Sequence, residues 1–297
     1  MVLIWLPYLR IGNWKLFSRV TSYMLNDSCF TLHVLCYTLH EFACNFIIIL
    51  INFRFMVETK DNKTEIEEMF SVGAHFGFSR SRRHPSALPY IFGSKNRVEI
   101  FDLEKTKTLL DIASEYARKL GEEGKTVLFV GGKKEARESI KDVALKLDMP
   151  YVSGRWIGGT LSNFGNIRGR VEKMIDLADK KEKGELSKYT KKERLLIDRE
   201  IERLDRFFGG LVNLTRKPDA LFVIDPRQEN ISVSEARQLS IPVIALIGSD
   251  GDAGKVDYPI FGNDASLHSI KFFTDKIVEA YEEGKKSSQA PKVTTSA

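Results

Sequence analysis

Cysteine is almost missing from this chain of 297 residues: Cys29, Cys36 and Cys44 all fall within the first 55, and none follows. A disulfide framework or a cysteine-ligated zinc site is thereby excluded beyond residue 55, and the pattern fits a reducing cytosol. The usual catalytic signatures are missing as well. There is no HExxH or CxxC spacing, no GxSxG elbow, and neither GxGxxG nor GxxxxGK[ST]. Negative charge is absent from two long windows, Met69 to Val98 and Met149 to Val171, in a chain whose bases and acids otherwise nearly balance. The net charge is +5, and without residues 1–55 there are 41 bases against 38 acids. Such a balance does not announce a nucleic-acid binder, so any case for one rests on where the charge sits.

What is present is most distinctive between His75 and Thr106. Arg80, Arg82, Arg83, Lys95 and Arg97 lie there with no acid before Glu99. Gly77, Pro85, Pro89 and Gly93 break any helix, and Phe76, Phe78, Tyr90 and Phe92 punctuate an extended loop. Cations interleaved with flat rings suit a polyanion whose phosphates meet the charges and whose bases meet the rings. A solvated loop with a few core aromatics is the plainer alternative.

Residues 1–55 differ in composition from the rest, with little charge and an apolar run from Phe42 to Phe55. A membrane anchor, a targeting peptide and a start codon assigned too early compete as explanations. His40, Glu41, Asn45 and Asn52 shorten the apolar span below the roughly 20 residues a bilayer needs. No positive-first region or small-residue cleavage site is clear. The change at Met56 favours a start there, which makes 1–55 a doubtful extension.

From residue 56 the pattern alternates. A short amphipathic helix carries Ile66, Met69 and Phe70; a strand runs from Val98 to Phe101, and Asp102 caps a helix with Leu109, Ile112, Ala113, Tyr116 and Leu120 on one face. Thr126 to Val130 is an apolar run of the kind buried on both sides of a sheet, and Lys133 to Leu147 is helical. Tyr151-Val152, Ala220 to Asp225 and Val243 to Ile247 read as further strands, with a helix from Val233 to Ser240. The last helix, capped by Asp264, runs to about Glu283 with Ile270, Phe273, Ile277, Val278 and Tyr281 inward. Residues 285–297 read as a disordered tail. Alternation of this kind predicts an α/β fold: a Rossmann-like parallel sheet flanked by helices, formed by 56–160 and 209–284. Residues 161–208 are highly charged, with Val171, Met174, Ile175 and Ala178 on one arm and Ile197, Ile201, Leu204 and Phe208 on the other. They predict an inserted α-helical coiled-coil hairpin broken near Gly184 to Thr190.

The second acid-free window holds Ser153-Gly154-Arg155-Trp156-Ile157-Gly158-Gly159 and continues through Asn163 to Arg168 and Arg170. Arg155 is the better candidate for a phosphate, while core anchoring and RNA stacking stand side by side for Trp156. A nucleotide-binding α/β enzyme is the rival reading, since Gly131-Gly132-Lys133-Lys134 after a strand could offer N–H groups and lysines to a phosphate. An RNA phosphate would be served equally well. Asp225, at a strand end, is more simply a turn cap than a magnesium ligand, and no catalytic constellation assembles.

Four ordered blocks resemble one family. They are His75-Phe76-Gly77-Phe78 with Tyr90 to Arg97 and Ile100 to Thr106; Arg155-Trp156-Ile157-Gly158-Gly159 with Leu161-Ser162-Asn163; Pro218 to Asp225 with Ile241-Pro242-Val243; and Val256 to Ala265. Spanning about 66 to 284, they resemble the bacterial ribosomal protein S2 family, with Phe78 where that family has a second His and with Phe261 and Ser266 as smaller departures. The resemblance implies a structural constituent of the small ribosomal subunit in the cytoplasm, with no catalysis, cofactor, metal or membrane. It also implies contact with small-subunit ribosomal RNA and neighbouring ribosomal proteins, and a part in docking the large mRNA-binding ribosomal protein. The expected RNA-binding residues are Arg80, Arg82, Arg83, His84, Lys95, Asn96, Arg97, Lys133, Lys134, Arg155, Trp156, Asn163, Arg168 and Arg170.

Overall fold

Five parallel strands, the middle three buried throughout, make the centre of the protein, and a computed structural model describes residues 64–289 around them. The run at 42–55, the start expected at Met56 and residues 290–297 lie outside the described residues. The strands are β4 (Val127–Val130), β5 (Tyr151–Val152), β6 (Ala220–Ile224), β7 (Val243–Ile247) and β8 (Tyr258–Phe261), parallel throughout and ordered β5-β4-β6-β7-β8. Side chains alternate between faces along each strand. Val127, Phe129, Phe222, Ile244 and Leu246 therefore join one core, and Leu128, Val130, Leu221, Val223 and Ala245 the other. Each of these valine, leucine, isoleucine and phenylalanine side chains contributes about 1.5–3 kcal/mol on burial. The Rossmann-like parallel arrangement is as expected.

Helices α2 (Leu103–Glu122), α3 (Arg137–Leu147) and α7 (Leu267–Gln289) cover the first face. Asp102 caps α2 by accepting the Glu104 N–H at 3.2 Å. The buried stripe of α2 is Leu110, Ala113, Ala117 and Leu120, so Ile112, expected inward, is half exposed. In α7, Ile270, Phe273, Ile277, Val278 and Tyr281 are all buried. Its end differs from expectation: residues 285–289 are helical, and Gly284 does not stop the helix. A Cβ on Gly284 would collide with the Arg118 carbonyl oxygen, and one on Gly121 with that of Tyr281. Each glycine lets α2 and α7 approach backbone to backbone.

The second face is covered by α4 (Phe164–Glu182), α5 (Lys191–Phe208) and α6 (Asn230–Gln238). α4 and α5 are two helices in the stretch 161–208, read from the sequence as a coiled-coil hairpin, and they are joined through Gly184, which has φ 71°, and a capping box between Thr190 and Glu193. Lys173 to Glu200 at 2.7 Å and Lys181 to Asp198 at 2.8 Å show that the two run antiparallel. The lower turns of the pair belong to the main core, where Ile167, Val171, Met174, Leu204 and Phe208 are buried.

The stretch expected to be an extended loop is instead a small antiparallel sheet. β1 (Phe76–Ser79) and β2 (Ile91–Lys95) flank β3 (Val98–Phe101), and two short 3-10 turns at Arg80–Arg82 and Pro85–Tyr90 link β1 to β2. The ladder steps by one residue between Ile91 and Gly93, leaving Phe92 outside and 81% exposed. α1, residues 64–71, precedes it; its Met69 is buried, but Phe70 is exposed and stacks on His75 at 4.4 Å.

Candidate nucleic-acid interface

Lys95 pairs with Val98, so Asn96 and Arg97 form a two-residue turn between β2 and β3. Both have positive φ, 52° and 67°. A tight hairpin turn of this hand needs that conformation at both positions, and a non-glycine residue adopts it at a cost. The strain holds the Arg97 side chain at the tip. The Arg80 N–H donates to the Arg97 carbonyl at 3.2 Å, which draws Arg80 to the same end. Arg80, Lys95, Asn96 and Arg97 are all exposed, and none of these three cations has an ion-pair partner among the described residues.

The other cations of this window are differently placed. Arg83 bonds Glu99 at 3.1 Å, and the Glu99 side chain is only 1% exposed. Arg82 reaches Asp250 at 3.1 Å, and Arg227 also bonds that carboxylate. His84 caps the second 3-10 turn, its Nδ1 accepting the Ser86 N–H at 3.3 Å, and its own backbone N–H donates to the Ser249 carbonyl at 2.8 Å. These are structural ties to the loop after β7. The expectation that the window is free of opposing charge is thus corrected for Arg82 and Arg83: the carboxylates missing from the sequence nearby arrive from Glu99 and from Asp250, 168 residues away.

Lys133 is corrected in the same way. Its ammonium lies 2.7 Å from Asp225 and 2.5 Å from Asp264, both largely buried. Burial opposes its charge, yet the two carboxylates together hold Lys133 above its ordinary value. Asp264, expected to cap α7, is committed to this pair instead, and burial pushes its carboxyl up to about 6 although Lys133 pulls the other way. Asp225 does cap its turn, with Oδ1 accepting the Arg227 N–H at 3.1 Å and the Gln228 N–H at 3.3 Å. Where a nucleotide phosphate would meet the glycine pair, the Glu229 carboxylate stands: a Cβ on Gly132 would collide with its Oε1. Burial, reinforced by Asp225, pushes Glu229 up to about 7 against a pull from the Gly132 backbone. Gly131 is there for packing, since a Cβ would run into Ile140. Phe78, Arg82, Lys133, Asp225, Arg227 and Asp250 thus border a cavity of about 410 Å³ whose cations are already matched. The Phe78 ring lies under the Arg82 guanidinium at 4.7 Å.

In the second window Trp156 is 4% exposed and is a core anchor, and its Nε1 has no partner among the described residues. Arg168 donates to the carbonyls of Val212 and Leu214 at 3.0 and 3.1 Å, so it fastens the segment after α5. Lys134, Arg155, Asn163 and Arg170 are exposed, and no ion pair forms at these three cations among the described residues. The loop that carries Arg155 and Trp156 owes its shape to Glu235 of α6, whose buried carboxylate accepts the N–H groups of Gly159 at 2.6 Å, Leu161 at 2.9 Å and Ser162 at 3.3 Å. Sequence reasoning missed Glu235, Asp250 and Arg227. A lone acid in an otherwise apolar helix stripe was the available sign of Glu235.

The two free sets do not merge. Arg155 follows β5 at one edge of the sheet, whereas the small sheet is tied to the loop after β7, three strand positions away, roughly 14 Å at the usual strand spacing. Fold and site define a parallel α/β protein with a basic hairpin turn, a helical pair and no free anion cradle at its glycine pair. The family model described as Ribosomal protein S2 matches residues 69–284. The chain is also 38% identical over 232 residues to the small ribosomal subunit protein uS2 of Dehalococcoides mccartyi, an alignment covering 78% of this chain and 95% of that one. The chain belongs to the ribosomal protein S2 family, whose role is structural, in the small ribosomal subunit during translation. Among the described residues no helix is long and apolar enough to cross a membrane.

Proposed function

We propose that the protein binds small-subunit ribosomal RNA through its unpaired cations, working on ribosomes in the cytoplasm. The observation that carries this reading is the hairpin turn, where Arg80, Lys95 and Arg97 project together with no carboxylate paired to them among the described residues. Surface arginines and lysines left free by their own fold are the groups that displace counterions from a phosphate backbone. Lys134, Arg155 and Arg170 extend the contact from the other edge of the sheet, and neighbouring ribosomal proteins, with the large mRNA-binding one among them, dock on the remaining surface.

The test is a titration of the full chain with purified small-subunit ribosomal RNA between about 50 and 200 mM salt. Replacing Arg80, Lys95 and Arg97 together by Ala should weaken binding and lower the salt slope by about 0.7–0.9 for each phosphate no longer neutralised. Stability should change by no more than about 0.5 kcal/mol, because these side chains hold nothing else. An unchanged salt slope would remove the proposal.

A further inference from the structure

Between the foot of the helical pair and the glycine loop lies a second cavity, of about 750 Å³. Arg170 of α4, Arg203 of α5, Asn163, Asn166, Ile157 and Phe207 line it, and no carboxylate does. The antiparallel register shows what is unusual there. Lys173 of α4 bonds Glu200 of α5 at 2.7 Å, and three residues toward the sheet on each helix come Arg170 and Arg203. An opposite-charge pair thus closes one level of the helical pair, and two cations border the cleft below it. Neither arginine has an ion-pair partner among the described residues, although the charge of Arg203 is felt by Glu200, three residues away on its own helix, and helps to hold that carboxylate below its ordinary value after Lys173. Asn163 stands at the N-cap of α4, yet its side chain makes no capping bond, so its amide is free.

We infer that this cleft receives one unstacked nucleotide of a single-stranded RNA segment, resting on the RNA-binding reading above and deepening it. The phosphate lies between Arg170 and Arg203, the two cations of the cleft that no ion pair occupies among the described residues. The base rests on Phe207 and Ile157, and the amides of Asn163 and Asn166 meet its edge. A duplex cannot enter a concave site of this size, because its bases stay stacked and only its shallow groove and backbone are offered. The volume falls in the ordinary range for a small-ligand pocket, about 300–1,000 Å³, so a free mononucleotide shares the required chemistry.

Fluorescence anisotropy with the full chain separates these cases, using a labelled mixed-sequence single-stranded RNA of about ten nucleotides, the matching duplex, and adenosine monophosphate as competitor. The single strand should bind more tightly than the duplex, and Arg170→Gln with Arg203→Gln should weaken it about tenfold and lower its salt slope by about 0.7, the share of one phosphate. Equal binding by variant and parent, a duplex as good as the single strand, or displacement by millimolar mononucleotide would each overturn the inference. Melting temperature gives an independent readout: removing the two charges should leave it unchanged or raise it, and a fall would show that the arginines hold the helices together. The hairpin-turn variant keeps the two proposals apart. If it loses ribosomal RNA and the cleft variant does not, the cleft fails and RNA binding stands; if neither loses it, both fail.

Discussion

The cavity beside Lys133 and the cleft beside Arg203 both gather positive charge and treat it oppositely. Around the first, every cation meets a carboxylate: Lys133 has Asp225 and Asp264, while Arg82 and Arg227 share Asp250. Around the second, Arg170 and Arg203 have none among the described residues. Positive charge in the first is therefore structural and fixes the loops at the carboxyl ends of the strands. In the second it is unspent. A run of sequence without acids says only that no local partner exists, and parallel-sheet topology brings partners from more than a hundred residues away.

The most severe way to test this contrast is to remove a structural cation. Arg83→Ala leaves Glu99 buried and charged with no partner, and should cost about 3–4 kcal/mol in urea denaturation, whereas Arg83→Met with Glu99→Met should recover most of that. A loss below about 1 kcal/mol would mean that Arg83 belongs with the free cations.

Glu229 sharpens the comparison through pH. Its folded value, about 7, lies above the ordinary 4.5, so the folded state holds this proton the more tightly. Its contribution to stability is greatest below the ordinary value and is lost as pH rises through about 7, where a charge must stay buried near Asp225. Glu229→Gln should accordingly be about 1–3 kcal/mol more stable than the parent near pH 8, with the gain vanishing toward pH 4.5. A gain that did not vary with pH would rule out the buried charge as its cause. Smallest of all, Arg97→Gly should stabilise the hairpin by about 0.4–1 kcal/mol, because glycine adopts φ 67° freely, while weakening RNA association. A variant both more stable and poorer at binding would show that strain is retained for presentation of the guanidinium.

Much of the fold is legible in the sequence because the central strands are continuous apolar runs: Val127 to Val130, Ala220 to Ile224 and Val243 to Ile247 carry their burial in their composition. What depends on distant neighbours is not. Gly284 reads as a helix stop until the Arg118 carbonyl is seen against it, and Asp264 reads as a cap until Lys133 reaches it. The stripe of α2 reads one position away from its true place because Ile112 and Leu110 fit a helical period about equally well. At the site, the turn cations read as exposed groups and are so, whereas Arg82, Arg83, Lys133 and Arg168 read as free charges and are tied down. Arg203 is hidden in a charged helix whose alternating signs look solvated. Only the Lys173 to Glu200 register singles it out.

The reciprocal glycine contact of α2 and α7 bears on how the protein comes into being. α7 supplies Ile270, Phe273 and Ile277 to the core that covers Phe129 and Phe222. Until that helix has been synthesised and has packed against α2 and α3, the part of this face that it covers stays wet and sticky. Completion of this core is in that sense deferred to Leu267–Gln289, and a nascent chain stalled before them exposes the apolar surface that invites aggregation.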